Sequence, residues 1–215
     1  MADYIVPPVP PHGRSILIVC EGQEEEKYIR KLVELSVFDP IYHIDTVNAE
    51  GNGNLGTFYT TYYQQGDYDL ILIFCDTDQS PYTQYEEVIR ASIVEFTGSE
   101  EAADSVIIFG NPCTMQVVIS HFGRYLLKTS AKKGNREIIE EATGIEHYKA
   151  KDRQVDAMME LLSRNNYHIM KKNIESLSSD YHERNSTNIG GFLDCLEKHD
   201  TTWIDRINEL LEGEY

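Results

Sequence analysis

Two runs in this chain, Ser15–Cys20 (SILIVC) and Asp69–Cys75 (DLILIFC), are apolar almost without interruption. A strand with one face in water alternates apolar and polar side chains. A strand without that alternation is covered on both faces, as in a parallel sheet between two layers of helices. With 215 residues, the chain can bury such a sheet in one large domain, or in a core domain with a helical extension.

The segments between these runs read as crossovers. A charged helix is expected over 23–36, with Ile29, Leu32, Val33 and Ser36 along one face. A shorter strand follows at Ile41–Val47. The stretch from Ala49 to Gly56 is glycine-rich but fits neither GxGxxG nor the Walker pattern. It is a flexible connection or, less simply, a phosphate cradle. A tyrosine-rich helix is expected at 56–65 and another at 82–95, with Tyr85, Val88, Ile89 and Ile93 on its apolar side. A third buried strand is expected at Ser105–Phe109. It is closed by Gly110-Asn111-Pro112, and Pro112 suits the start of a helix over 112–122.

Beyond about residue 124 the strand pattern stops. Val155, Met158, Met159 and Leu162 recur at helical spacing, as do Ile189, Phe192, Leu193 and Leu196, and then Ile204, Ile207 and Leu211. Core packing explains each set. The expected fold class is α/β: a mostly parallel sheet flanked by helices, with an α-helical C-terminal extension. The expected organisation is a Pro-rich arm over 1–13, which carries four prolines, an α/β domain over 14–125, and a helical region over 126–215.

Charge narrows the function. The net charge is −17, which argues against a protein that coats nucleic acid unaided, because such binding relies on neutralising phosphates. The imbalance is concentrated early: residues 1–105 hold 5 Lys/Arg against 19 Asp/Glu. Basic residues cluster later, at Arg124, Lys128, Lys132, Lys133 and Arg136. They read as a solvated helix end and loop, or as an edge that touches phosphates. No apolar run is long enough to cross a bilayer and none has the form of a signal peptide. Cys20, Cys75, Cys113 and Cys195 form no CxxC pair and read as reduced core thiols of a cytoplasmic protein, not as a zinc site.

The chemistry-bearing pattern lies where the apolar runs end. Glu21 closes the first, and Asp76-Thr77-Asp78 closes the second. Ligands of parallel sheets bind beyond the carboxyl ends of strands. Residues two apart on a strand share a side, so Asp76 and Asp78 are expected to converge, joined by Glu21 if the strands are neighbours. Three close carboxylates repel one another, and a divalent cation removes the repulsion. Hard oxygen donors favour Mg²⁺, Mn²⁺ or Ca²⁺ over zinc. The run Glu24-Glu25-Glu26 is read as first-turn acids that suit a helix dipole, and His121 as a satisfied structural residue. Ser15, Ser80 and Cys113 have no His/Asp partner at a recognisable spacing.

The segments ILIVCEGQEEEKY (16–28) and LILIFCDTD (70–78) resemble the TOPRIM domain of type IA topoisomerases, primases and OLD-family nucleases. The chain also resembles the RloB-like proteins of bacterial anti-phage loci. They pair the two motifs with a Ser-Asn-Pro-Cys-Phe-Glu segment leading to His-Phe, matched here by Gly110-Asn111-Pro112-Cys113-Thr114-Met115 and His121-Phe122. The likeness spans roughly residues 14–125. It implies a Mg²⁺ (or Mn²⁺)-dependent nuclease acting on DNA, RNA or tRNA, with Glu21 as general acid/base or metal ligand and Asp76 and Asp78 as metal ligands. It also implies an ABC- or SMC-like ATPase partner, which could supply the basic nucleic-acid track. Met115 stands where that group carries Glu, and Gly110 where it carries Ser, so activity is expected to be reduced or altered. Gln79 and Ser80 replace a further acid of topoisomerase-type members.

Two alternatives remain at this stage. The chain could be a catalytically weak TOPRIM module that binds and regulates the ATPase. It could also be an HAD-like phosphatase, since Asp76-Thr77-Asp78-Gln79-Ser80 loosely fits DxDx(T/V) with Asp76 as nucleophile. That reading leaves Glu21 unexplained. The sequence leaves oligomeric assembly open.

Overall fold

In a computed structural model, residues 13–213 are described. The Pro-rich arm, apart from its final residue, lies outside them. Four strands form one sheet: β1 (Arg14–Cys20), β2 (Tyr42–Asn48), β3 (Leu70–Asp76) and β4 (Ile107–Gly110). Their order is β2-β1-β3-β4 and every pairing is parallel. The chain is therefore an α/β protein, and the unbroken apolar runs have the expected cause. From Ile16 to Cys20 and from Leu70 to Cys75 every side chain is buried.

Helix α1 (Gln23–Glu34) joins β1 to β2, and α2 (Leu55–Gln65) carries the chain back past β1 to β3. Parallel crossovers are right-handed. The reversal of direction at β1 therefore puts α1 and α2 on opposite faces of the sheet. It also creates a switch point between the carboxyl ends of β1 and β3, the place where open α/β sheets form a crevice.

On α1, Tyr28, Ile29 and Leu32 are buried, while Val33 is 42% exposed. The buried face is thus rotated towards Glu25 and Tyr28 relative to the expected stripe. The helix expected over 82–95 opens as a π-helical turn (Gln84–Arg90) and continues as α3 (Ala91–Thr97). A short helix then intervenes that the apolar pattern did not announce: α4 (Glu100–Val106), capped by Ser99, whose hydroxyl accepts from the Ala102 amide. Ser105 and Val106 belong to it, so β4 starts two residues later than expected. Helix α5 (Met115–Ile119) likewise starts after Pro112 rather than at it.

The C-terminal half is helical: α6 (Arg136–Thr143), α7 (Asp152–Glu160), α8 (Arg164–Ile174), α9 (Ile189–Leu196) and α10 (Thr202–Glu212). Its buried residues join those of the sheet in one core. Residues 186–188 close the outer edge of β4. The Asn188 side chain accepts from the Phe109 amide at 2.9 Å and donates to the Ile107 carbonyl at 2.7 Å. It replaces a neighbouring strand and blunts an edge that would otherwise template aggregation. Among the described residues, no helix is long and apolar enough to cross a membrane.

Candidate functional site

Beyond the ends of β1 and β3 lies a cleft of about 700 Å³ lined by acids from three elements, with Glu21 and Asp76 at its floor and Glu24, Glu25 and Asp152 around them. The backbone of Glu21 is pinned on both sides. Its amide donates to the Phe74 carbonyl at 3.0 Å, extending the β1–β3 ladder, and its carbonyl accepts from Gly51 at 2.8 Å. Gly51 has φ +128°, a conformation that glycine adopts without strain. The glycine-rich loop thus serves as a backbone clamp on Glu21.

The Glu21 carboxylate accepts from the Asp76 amide at 3.0 Å. The Asp76 carboxylate accepts from the Thr114 amide at 2.6 Å. That bond needs a close approach of β4 to the turn after it, and Gly110 permits it. A Cβ there would lie 2.8 Å from the Thr114 nitrogen. Gly110 is therefore a packing requirement in this chain. Met115, at the position where the RloB-like segment carries Glu, is fully buried in the core and brings no carboxylate to the cleft.

Burial raises the Glu21 pKa to about 7, helped by the Asp76 charge and opposed by the Asp76 amide. Burial also raises Asp76, to about 6, against the Lys132 ammonium and the Thr114 amide. Glu25 is buried behind them and is raised as well, by desolvation first and then by the charges of Asp76, Glu24 and Glu21. Desolvation is the first cause in all three, and neighbouring carboxylates add to it.

Asp78 departs from the expectation. The β3 strand ends at Asp76, and Thr77 adds one more backbone bond, to the Gly110 carbonyl at 3.1 Å. Asp78 then takes φ +59°, which ends the period-two alternation that would have turned it beside Asp76. Its charge still reaches Glu21, but the side chain does not line the cleft. Among the described residues, no three His, Cys, Asp or Glu are grouped so as to hold a metal. The expected three-carboxylate convergence is thus a two-carboxylate one. The donor chemistry fits a hard divalent cation at Glu21 and Asp76, while the third protein ligand is missing from this arrangement.

Two features of the cleft escaped the sequence reading. Glu24 and Glu25 looked like ordinary first-turn acids, yet Glu24 is turned inward and Glu25 is 5% exposed. The Glu25 carboxylate accepts from the Gly22 amide at 3.0 Å, which caps α1 and aims the residue back towards β1. The spacing from Gly22 to Glu25 was the available signal. The second feature is Lys132. Of the basic cluster, Arg124, Lys128 and Lys133 are exposed. Lys132 instead reaches into the cleft and pairs with Glu24 at 2.5 Å.

His121 is the satisfied structural residue expected. The Asn166 amide is oriented by the backbone, since its Oδ1 accepts from the Ser163 amide and its Nδ2 donates to the Leu161 carbonyl. His121 Nδ1 must therefore donate to that Oδ1, at 3.2 Å, and Nε2 accepts from the Tyr28 hydroxyl at 3.0 Å. Burial lowers its pKa to about 4. The four cysteines are all free, and Cys20, Cys75 and Cys113 are buried.

No family model, curated protein or solved structure matches the chain.

Proposed function

We propose that the cleft at the β1–β3 switch point binds a divalent cation, Mg²⁺ or Mn²⁺, through Glu21 and Asp76, and that the protein hydrolyses phosphodiester bonds in nucleic acid. The observation that carries this reading is the half-buried, mutually repelling Glu21–Asp76 pair at the carboxyl ends of adjacent parallel strands. The order of the Glu-Gly, Asp-Thr-Asp and Asn-Pro-Cys segments, with its resemblance to TOPRIM nucleases of anti-phage systems, supports the same reaction class.

A bound cation would supply charge neutralisation on the phosphate and a water of lowered pKa. The residues of the chain do the positioning. The Asp76 amide orients the Glu21 carboxylate, and the Thr114 amide orients that of Asp76. Arg124, Lys128 and Lys133 are exposed, and in this reading they would meet substrate phosphates. An ATPase partner with a basic track would offset the −17 net charge.

The test is incubation of purified protein with Mg²⁺ or Mn²⁺ and a panel of duplex DNA, single-stranded DNA and tRNA. Cleavage that disappears in Glu21→Ala supports the enzyme. A specific observation favours a second reading, a catalytically weak module that regulates an ATPase: the cleft offers two aligned carboxylates, not three, with Lys132 among them. Absence of cleavage with the ATPase and a phage trigger present supports that module.

A further inference from the structure

The chain already places a cation in its own acidic cleft. The Lys132 side chain is 24% exposed, its ammonium lies 2.5 Å from the Glu24 carboxylate, and that carboxylate also accepts from the Tyr148 hydroxyl at 2.8 Å. Asp76 lines the same cleft. We propose that Lys132 is a resident counter-ion which a divalent cation must displace to bind at Glu21 and Asp76. The inference rests on the cation-binding reading of the cleft and adds a control to it.

The placement is built, not incidental. Lys132 opens a 3₁₀ turn (Lys132–Asn135) whose last residue, Asn135, is 1% exposed. The Asn135 side chain accepts from the Lys128 amide at 2.8 Å and from the Thr129 amide at 3.3 Å, and donates to the Thr129 carbonyl at 2.5 Å and the Ala131 carbonyl at 3.4 Å. This hub closes the loop and turns Lys132 inward while the adjacent Lys133 stays exposed.

An ammonium neutralises one charge of the cluster formed by Glu21, Glu24, Glu25 and Asp76. Desolvation opposes its charge, but the acidic groups around it outweigh that cost and keep it protonated. A divalent ion at Glu21 and Asp76 would bring two positive charges into the same space, and Lys132 would then face repulsion instead of attraction. Its flexible four-carbon stem lets it leave without unfolding the loop.

Mn²⁺ binding, followed by electron paramagnetic resonance, tests this on wild type and on Lys132→Met, which keeps the stem and removes the charge. The expected result is at least tenfold tighter binding in Lys132→Met, with Lys132→Arg no tighter than wild type. A second measurement uses wild type alone. Acetylation of Lys132, read by mass spectrometry against the exposed Lys198, should rise at least threefold when Mn²⁺ is added, and it decides the matter if Lys132→Met does not fold. Equal Mn²⁺ affinity in a folded Lys132→Met, or Lys132 protected by Mn²⁺, overturns the counter-ion role and leaves the cation site standing. No Mn²⁺ binding by either protein overturns both.

Discussion

The Asp76 amide donates a 3.0 Å hydrogen bond to the Glu21 carboxylate, so the residue that ends β3 orients the residue that follows β1. Neighbouring parallel strands thus deliver their terminal acids to one point, where each raises the cost of ionising the other. The bond favours the ionised form of Glu21, yet burial and the Asp76 charge outweigh it.

The stability of the metal-free protein should therefore depend on Glu21. Its folded-state pKa, about 7, lies above its ordinary 4.5. Between those values the folded state binds more protons than the unfolded state, so this contribution is full below pH 4.5 and is lost as pH rises through 7. At about 1.4 kcal/mol per pKa unit, the full loss is about 3.5 kcal/mol, of which about 2.5 kcal/mol falls between pH 5 and pH 8. Glu21→Gln cannot ionise and should gain that amount over wild type between pH 5 and pH 8 in urea denaturation. A stability difference that stays flat across this range would sink the assignment.

Much of the frame was legible because a strand buried on both faces leaves an unbroken apolar run. SILIVC and DLILIFC located β1 and β3 to within a residue, and with them Glu21 and Asp76. Helix α4 was hidden because Ser105 and Val106 join its end to the apolar run of β4. Asp78 was misplaced because strand alternation was carried past the last residue of β3 to a position with positive φ. From the sequence, Glu24 and Glu25 read as first-turn acids that suit the helix dipole, and Lys132 as part of a solvated loop or of an edge that touches phosphates. Only the approach of loop 128–135 to α1, a long-range event without periodicity, brings them together. The β4 edge is closed by residues 186–188 for the same kind of reason: Asn188 acts through its side chain, which no strand pattern announces.

Gly110 connects packing to the site. A Cβ at this position would sit 2.8 Å from the Thr114 nitrogen and 2.9 Å from its Cα, both backbone atoms with little room to yield. Gly110→Ala should cost about 1–3 kcal/mol by overpacking, measured by urea denaturation. It should also draw the Thr114 amide away from Asp76, removing a bond that favours the ionised carboxylate. Asp76 would then titrate higher than in wild type, visible by ¹³C carboxyl NMR. An unchanged Asp76 titration in a folded Gly110→Ala would contradict this link.

Tyr28 and His121 form a buried pair in which the hydroxyl donates to Nε2. Tyr28→Phe keeps the ring but leaves that nitrogen without a donor. A buried acceptor stripped of its partner costs about 1–3 kcal/mol, and the melting temperature should fall accordingly. His121 itself, lowered to about 4 from its ordinary 6.5, destabilises the fold as pH falls through that interval, because the unfolded state takes up the proton first. NMR should show its imidazole neutral at pH 5.5. A protonated His121 at that pH would refute the tautomer and burial argument together.

The sharpest separation concerns the two aspartates. If strand alternation continued beyond β3, Asp76 and Asp78 would be equivalent donors, and neutralising either would cripple cation binding equally. The chain instead turns at Asp78, whose side chain leaves the cleft while Asp76 stays at its floor, held by the Thr114 amide. Asp76→Asn should therefore weaken Mn²⁺ binding at least thirtyfold. Asp78→Asn should weaken it less than fivefold, through the loss of one nearby charge and not of a ligand. Calorimetric titration of both folded variants gives the ratio directly. Equal losses would mean that the 77–82 loop rearranges on binding and brings Asp78 in as a third ligand, which would restore the three-carboxylate centre expected from the sequence.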